Sequence, residues 1–419
     1  MNRAIYVSSL AAASWLGFAA PSWSDTITAG SCSQSDVQAA IDSSADGDDV
    51  IVPNGSCTWT SNVSIRGKGI HLHSASVGGV TITHSAGSRD LLIVLADQSH
   101  NVEISGFRFL PGSVSNPAHY ILVEGIGKPV LVHDLYMRIE DFGVSCIRWG
   151  ARGGVIWNNV FESRDRGGAG SGCLPIKAES NEFDVSWTTP STFGTDDVGG
   201  DQNVYIEDNT FRAIIYQAID PDGNARVVIR HNTFDNSAMA SHGADTGPDG
   251  MRHAEVYDNR FIFTASGSEY DFPLALNNFM YIRGGSWVIT DNEIDDIRSQ
   301  LWGDKDEIMV TVQNLRRRSG PYPCWTTYPV PRQFGQGYDT APTLEPAYIW
   351  NNTGDGQLTP QLSDYDPDQC GNNLHTDDFV QEGRDYFLEA KPGYRKYPYP
   401  HPLRDDRPAP KAPSGLQVN

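Results

Sequence analysis

The sequence is poor in basic residues, in cysteine and, past its first two dozen positions, in long apolar runs. Lys and Arg number 31 against 52 Asp and Glu, a formal charge of -21. A field of that sign repels nucleic acid and anionic membrane, so a polyanionic partner must meet a local cluster of cations. The six cysteines are Cys32, Cys57, Cys146, Cys173, Cys324 and Cys370, and they lack the close paired spacing of zinc sites. An even, scattered set in an exported chain reads as up to three disulfides, which sequence order pairs as Cys32–Cys57, Cys146–Cys173 and Cys324–Cys370. EF-hand spacing is missing, as are the Leu-x-x-Leu-x-Leu frame and the 3.6-residue period of helical repeats.

What is there begins with "MNRAIYVSSLAAASWLGFAAPSWSDT", where a basic residue, an apolar stretch and small residues near Ser24 read as a secretory signal over residues 1–24. No later run is long enough to cross a bilayer. The mature protein is therefore expected to be secreted or periplasmic, soluble and monomeric, with no nucleic-acid or membrane partner.

A repeat organises the rest. "VYIEDNTF" (204–211), "VVIRHNTF" (227–234), "AEVYDNRF" (254–261) and "WVITDNEI" (287–294) share an Ile or Val at the third place, an Asn at the sixth and a Phe or Ile at the last. The asparagines are 23, 27 and 33 residues apart. "NVEISGFRF", "GVIWNNVF" and "AYIWNNTG" are looser copies. Alternation gives a strand, and Asn gives the turn after it. A unit this short cannot bury its own apolar face, so the copies stack, each strand pairing in parallel with the next at ~4.8 Å. Variable spacing then belongs to loops between registered strands.

The predicted fold is all-β: a single-stranded right-handed parallel β-helix over residues 25–317. "SQSDVQAAIDSS" reads as a helix that starts at a Ser cap and covers the open end of the stack. Residues 318–419 read as one further coil (347–354) and a wrapping tail rich in Pro, Tyr and Trp, whose aromatics, Trp325, Tyr328, Tyr338 and Trp350 among them, pack on the body. On these repeats, over most of residues 30–355, the chain resembles the secreted parallel β-helix proteins of the pectate-lyase-like superfamily. "LEPAYIWNNT" and "GRDYF" followed by "KPGYRKYPYPHPL" resemble a group of bacterial β-helix proteins.

Period two turns Val227, Ile229, Ala254 and Val256 inward. Three outward columns follow: Asn203, Arg226, His253, Ser286; then Tyr205, Val228, Glu255, Val288; then Glu207, Arg230, Tyr257, Thr290. The loops "AIDPDGNAR", "SHGADTGPDGMR" and "IRGGSW" come to the same side. The sequence therefore predicts a groove with His242, Arg252 and Glu255 as catalytic residues and Arg226, Arg283 and Asp220 as substrate-binding residues. Arginine forks pair with carboxylates, and histidine moves protons near neutrality. No metal ligand is assigned; the cofactor the acids allow is calcium, for which Asp220, Asp222, Asp245 and Asp249 offer hard oxygen ligands. The repeated asparagines read as a turn ladder.

The resemblance implies a polysaccharide lyase that cleaves a uronic-acid-containing polymer by β-elimination, with an acidic polysaccharide as partner. The alternatives are a glycoside hydrolase using two of Asp220, Asp222, Asp245, Asp249 and Glu255, and a non-catalytic polysaccharide-binding adhesin. The chain departs from known members. The Asn-Thr-Asp, Gly-His-Gly and Arg-Ile-Lys patterns of the polygalacturonase-type hydrolases are absent, with "SHG" and "PIK" near matches. So are the Arg-His-Gly and Asn-Lys-Ser patterns of the alginate and chondroitin lyase group.

Overall fold

The computed structural model describes residues 25–96, 99–112, 119–125, 127–139, 145–163, 174–178, 198–214, 217–243, 250–263, 278–296, 308–313, 323–338, 342–363, 370–371 and 373–404. Their strands stack into a right-handed parallel β-helix with three faces. The first sheet has 12 strands, the second 10, and the third is built from a 6-stranded and a 4-stranded segment. The two segments meet where Ala218 N–H donates to Ala238 O at 2.8 Å and His242 N–H donates to Pro221 O at 3.0 Å.

The predicted columns match the strand register of the first sheet: Arg226 stands opposite His253 and His253 opposite Ser286, while Glu207, Arg230, Tyr257 and Thr290 stand in line. Inside, Val227, Ile229 and Val256 are fully buried in one apolar cluster that runs the length of the cylinder. On the second sheet Phe161, Phe211, Phe234 and Phe261 stack with ring centroids 5.1, 4.9 and 4.6 Å apart. Like residues thus meet like in successive coils, where aromatic pairs contribute beyond the area they bury.

The asparagines form the predicted ladder. Asn159, Asn209, Asn232, Asn259 and Asn292 each donate Nδ2–H to the Oδ1 of the next, the last to Asn352, at 2.9–3.0 Å. Each also donates its backbone N–H to that same oxygen at 2.9–3.1 Å. The residue before each rung takes a left-handed conformation: Asn158, Asp208, His231, Asp258, Asp291 and Asn351 have φ between 53° and 57°. Asn, Asp and His are the non-glycine residues that tolerate that region best, so the dipeptide, not the asparagine alone, makes the turn.

The N-terminal helix Gln34–Ser43 starts at Ser33, whose hydroxyl accepts from Asp36 N–H at 3.3 Å. It buries Val37, Ala40 and Ile41 on the first coil. Its Gln38 side chain exchanges two hydrogen bonds with the Ser64 backbone, at 3.1 and 2.8 Å. That amide supplies the first strand of the third sheet with the partners a preceding strand would give, which closes the open edge. Two disulfides join Cys32 to Cys57 and Cys324 to Cys370 as sequence order pairs them; Cys146 is buried, and Cys173 lies outside the described residues.

Residues 394–404 lie along the outer face of the first sheet. Tyr394 Oη donates to Glu255 at 2.7 Å, and Lys396 pairs with Asp258 at 2.8 Å and Asp291 at 2.7 Å. Arg404 pairs with Glu207 and Asp208, each at 2.5 Å. The aspartates at the left-handed turn positions therefore also anchor this segment.

Candidate functional site

The six residues singled out from the sequence separate onto two faces. Arg226, Arg252 and Glu255 lie on or beside the first sheet and are buried. Glu255 sits beneath Tyr394 and 3.5 Å from His253 Nε2. A Cβ built on Gly199 would stand 2.2 Å from its carboxylate, so that glycine, with φ +72°, lets the backbone close over it. Arg252 makes a two-pronged pair with Glu345, both contacts at 2.7 Å. Arg226 donates to Asn224 O at 3.2 Å. The alternation does turn these side chains outward, but Tyr394, Glu345 and the Asn224 carbonyl take up their hydrogen bonds, and Gly199 packs against Glu255.

Asp220, His242 and Arg283 do come together, on the third sheet. Asp220 belongs to the strand Ile219–Pro221, next to Leu174–Ala178, and the register sets Lys177 opposite Asp220. Lys177 Nζ donates to Asp220 at 2.7 Å and to Asp222 at 3.1 Å. Asp220 accepts from His242 Nδ1 at 2.8 Å. Arg283 donates Nη2–H to His242 Nε2 at 2.8 Å while its Nε–H is fixed on Ser241 O at 2.9 Å. The result is a continuous chain, Lys177 to Asp220 to His242 to Arg283. Arg148 stands opposite Lys177 in the preceding coil, and Tyr281 lies opposite the small Ala240, with Arg283 Cζ 5.8 Å from its ring.

The hydrogen bonds dictate protonation. Burial alone would raise the Asp220 carboxyl; the charge of Lys177, with the hydrogen bonds that Lys177 and His242 donate, outweighs it and holds Asp220 well below the usual carboxylate range. An ionised Asp220 only accepts, so His242 Nδ1 carries a proton. Arg283 only donates, so His242 Nε2 presents a lone pair. The imidazole is neutral, oriented by a buried carboxylate, and has its basic nitrogen turned toward a guanidinium.

Of the four aspartates offered for calcium, Asp220 and Asp222 are among the described residues. The Lys177 ammonium bridges Asp220 and Asp222, standing where a cation between them would bind, and Asp245 and Asp249 lie outside the described residues.

Sequence reasoning missed Lys177. Its signal was the pair of short alternating runs "IKA" and "IDP", in which Ile176 and Ile219 are buried and the charges between neighbours face out. Strands of the third sheet lack the Asn rung, so nothing framed that alignment.

No protein-family model matches the chain, and no curated protein does. The likeness is to solved β-helix structures. One is an alginate lyase from Paenibacillus sp. str. FPU-7, with 14% identity, covering 70% of this chain and 94% of that one at a TM-score of 0.39. Another is a PL6 family polysaccharide lyase from Pseudopedobacter saltans, with 11% identity, covering 82% and 80% at a TM-score of 0.38. The catalytic domain of a GH87 alpha-1,3-glucanase has 12% identity, covering 87% and 67% at a TM-score of 0.29.

Proposed function

We propose that the chain is a secreted polysaccharide lyase that cleaves a uronic-acid-containing polymer by β-elimination on the outer face of the third sheet. The observation that carries the reading is the neutral His242, whose Nε2 lone pair is held 2.8 Å from Arg283 Nη2. A uronate carboxylate competes for that guanidinium, because two charge-assisted bonds to Arg outweigh one to a neutral imidazole. Substrate entry therefore draws Arg283 off Nε2 and exposes the base, with Arg283 and Arg148 neutralising the carboxylate and making the C5 proton acidic. His242 Nε2 takes that proton, the C5–H electron pair becomes the C4–C5 double bond, and the C4–O bond breaks. Lys177 Nζ protonates the departing oxygen, and Asp220 stabilises the imidazolium formed. Asp220 is a poor general acid for hydrolysis, since its environment keeps it ionised and a catalytic acid needs the opposite shift.

Incubation with a panel of uronate polymers tests the reading through the absorbance of the conjugated product near roughly 235 nm. His242→Gln is expected to lower kcat by ~10²- to 10⁴-fold with an unchanged far-UV spectrum. Arg283→Lys should chiefly raise KM, because the two-pronged contact is lost. Undiminished turnover in His242→Gln, or new reducing ends without the absorbance, overturns the proposal.

A further inference from the structure

A second cluster lies on the first sheet, in coils that precede the segment under residues 394–404. Asp49, His71, Glu103 and His133 come from four consecutive strands, with Asp49 opposite His71 and His71 opposite Glu103. His133 Nε2 lies 2.8 Å from Glu103 Oε1, and its Nδ1 lies 2.7 Å from Asp134. His71 Nε2 lies 3.5 Å from the same Glu103 oxygen and 2.9 Å from Ser105 Oγ, and its Nδ1 lies 3.0 Å from Asp49. His73 stacks on His71 at 4.3 Å and also faces Asp49, at 3.1 Å. His71, Glu103 and His133 are all at most 5% exposed.

His133 turns both its ring nitrogens to carboxylates. A neutral imidazole has one N–H, so it satisfies one such acceptor and sets its remaining lone pair against the other. Two neutral imidazoles would bury lone pairs against Glu103, which is costly, so this point takes a positive charge, either a second proton on His133 or a cation held between the groups. His71, Glu103 and His133 each offer a ligand atom within 4.8 Å of the others, a span that admits the about 3.3 Å separating the ligands of a tetrahedral zinc with ~2.0–2.1 Å bonds. The Nδ1 of each imidazole is fixed by its own carboxylate, Asp49 for His71 and Asp134 for His133. Such carboxylate–histidine pairs set the tautomer that aims Nε2 at a metal.

We propose that His71 Nε2, Glu103 Oε1 and His133 Nε2 bind a divalent cation of the zinc class, which clips three consecutive coils together. Asp49 and Asp134 are positioning residues, and Ser105 Oγ borders the fourth coordination position. Binding breaks no covalent bond except N–H: any proton on an Nε2 passes to solvent, and Ser105 gives up its bond to His71.

The test uses the full mature chain stripped with a chelator and titrated with Zn²⁺ by calorimetry and with Co²⁺ by visible absorption. One equivalent should bind with Kd on the order of micromolar or tighter, with the intense visible bands of tetrahedral Co²⁺ and a rise in Tm. His133→Asn and Glu103→Gln should abolish binding, and Asp134→Asn should weaken it ~10- to 100-fold. His73→Asn should bind as the parent does. Circular dichroism and the melting curve in chelator identify any variant that fails to fold, and Asp134→Asn, which keeps all three ligands, supplies an independent readout. Absence of saturable binding overturns the site, as does loss of binding in His73→Asn with retention in His133→Asn, which would move the ion to Asp49, His71 and His73.

Discussion

The first and third sheets present similar outward charges, a buried carboxylate beside a cation from a neighbouring coil, but their surroundings differ. On the first sheet Glu207 and Arg230 are wholly buried, and Arg230 also donates to Tyr257 Oη at 3.1 Å and to the carbonyls of Tyr397 and Pro398 at 2.8 and 2.9 Å. On the third, Lys177 and His242 side chains keep 12% and 13% exposure beside Asp220 at 1%. The same alternation produced both. What differs, among the described residues, is a distant segment of chain, residues 394–404, laid over the first of them and fastened there.

The comparison breaks most sharply at Arg230. Arg230→Ala leaves Glu207 buried with less compensation and removes two donors to residues 397 and 398; a loss of about 3–5 kcal/mol is expected, read from the urea midpoint. Turnover per folded molecule on a uronate polymer should stay at the parent level. A large drop in turnover at unchanged stability would show that the two faces had been assigned the wrong way round.

Acid should loosen the covered face next. Burial, with the Arg230 and Arg404 guanidiniums, holds His401 down to about 4, against 6.5 when unfolded. Above 6.5 both states are neutral and its contribution is flat. As pH falls from 6.5 toward 4 the unfolded chain takes a proton that the folded one refuses, so stability falls, by on the order of 2 to 3 kcal/mol. His401→Gln should flatten that part of the stability curve measured by denaturant titration at each pH. The same slope in the variant would assign it elsewhere.

The smallest effect sharpens the comparison most cleanly. Glu255→Gln keeps the shape and an acceptor for Tyr394, so it should cost about 1 kcal/mol and leave turnover intact. The matching change on the other face, Asp220→Asn, should abolish turnover by disturbing the His242 tautomer. Equal effects of the two on turnover would contradict the separation.

Much of this architecture was legible in the residues themselves. The Asn rung and the buried residues three and five places before it frame each strand of the first sheet, so Glu207, Arg230 and Tyr257 could be aligned without coordinates. Asp220, His242 and Arg283 were also found, but as neighbours of Arg226, Arg252 and Glu255, from which the structure separates them. The reason is geometric: successive residues turn from one face to another within a few positions, and loop residues carry no rung to say which. The partner of Arg252 lies 93 residues away in Glu345, and that of Glu255 lies 139 away in Tyr394. Local pattern contains no information about such pairings. The His71, Glu103 and His133 set went unread because "HLHS", "VEIS" and "VLVH" each look like an ordinary half-polar strand.

The asparagine ladder sets how this molecule can change length. Each rung is completed by the amide of its successor, while the chain between rungs spans 23, 27, 33, 50 or 60 residues without altering it. Insertions between rungs therefore leave the spine undisturbed, whereas a deletion that removes a rung strands buried donors on the coil before it. Growth and loss by whole turns, each bringing its own asparagine, is the route this geometry permits, and new surface for recognition can be added to the protein without redesigning what lies beneath.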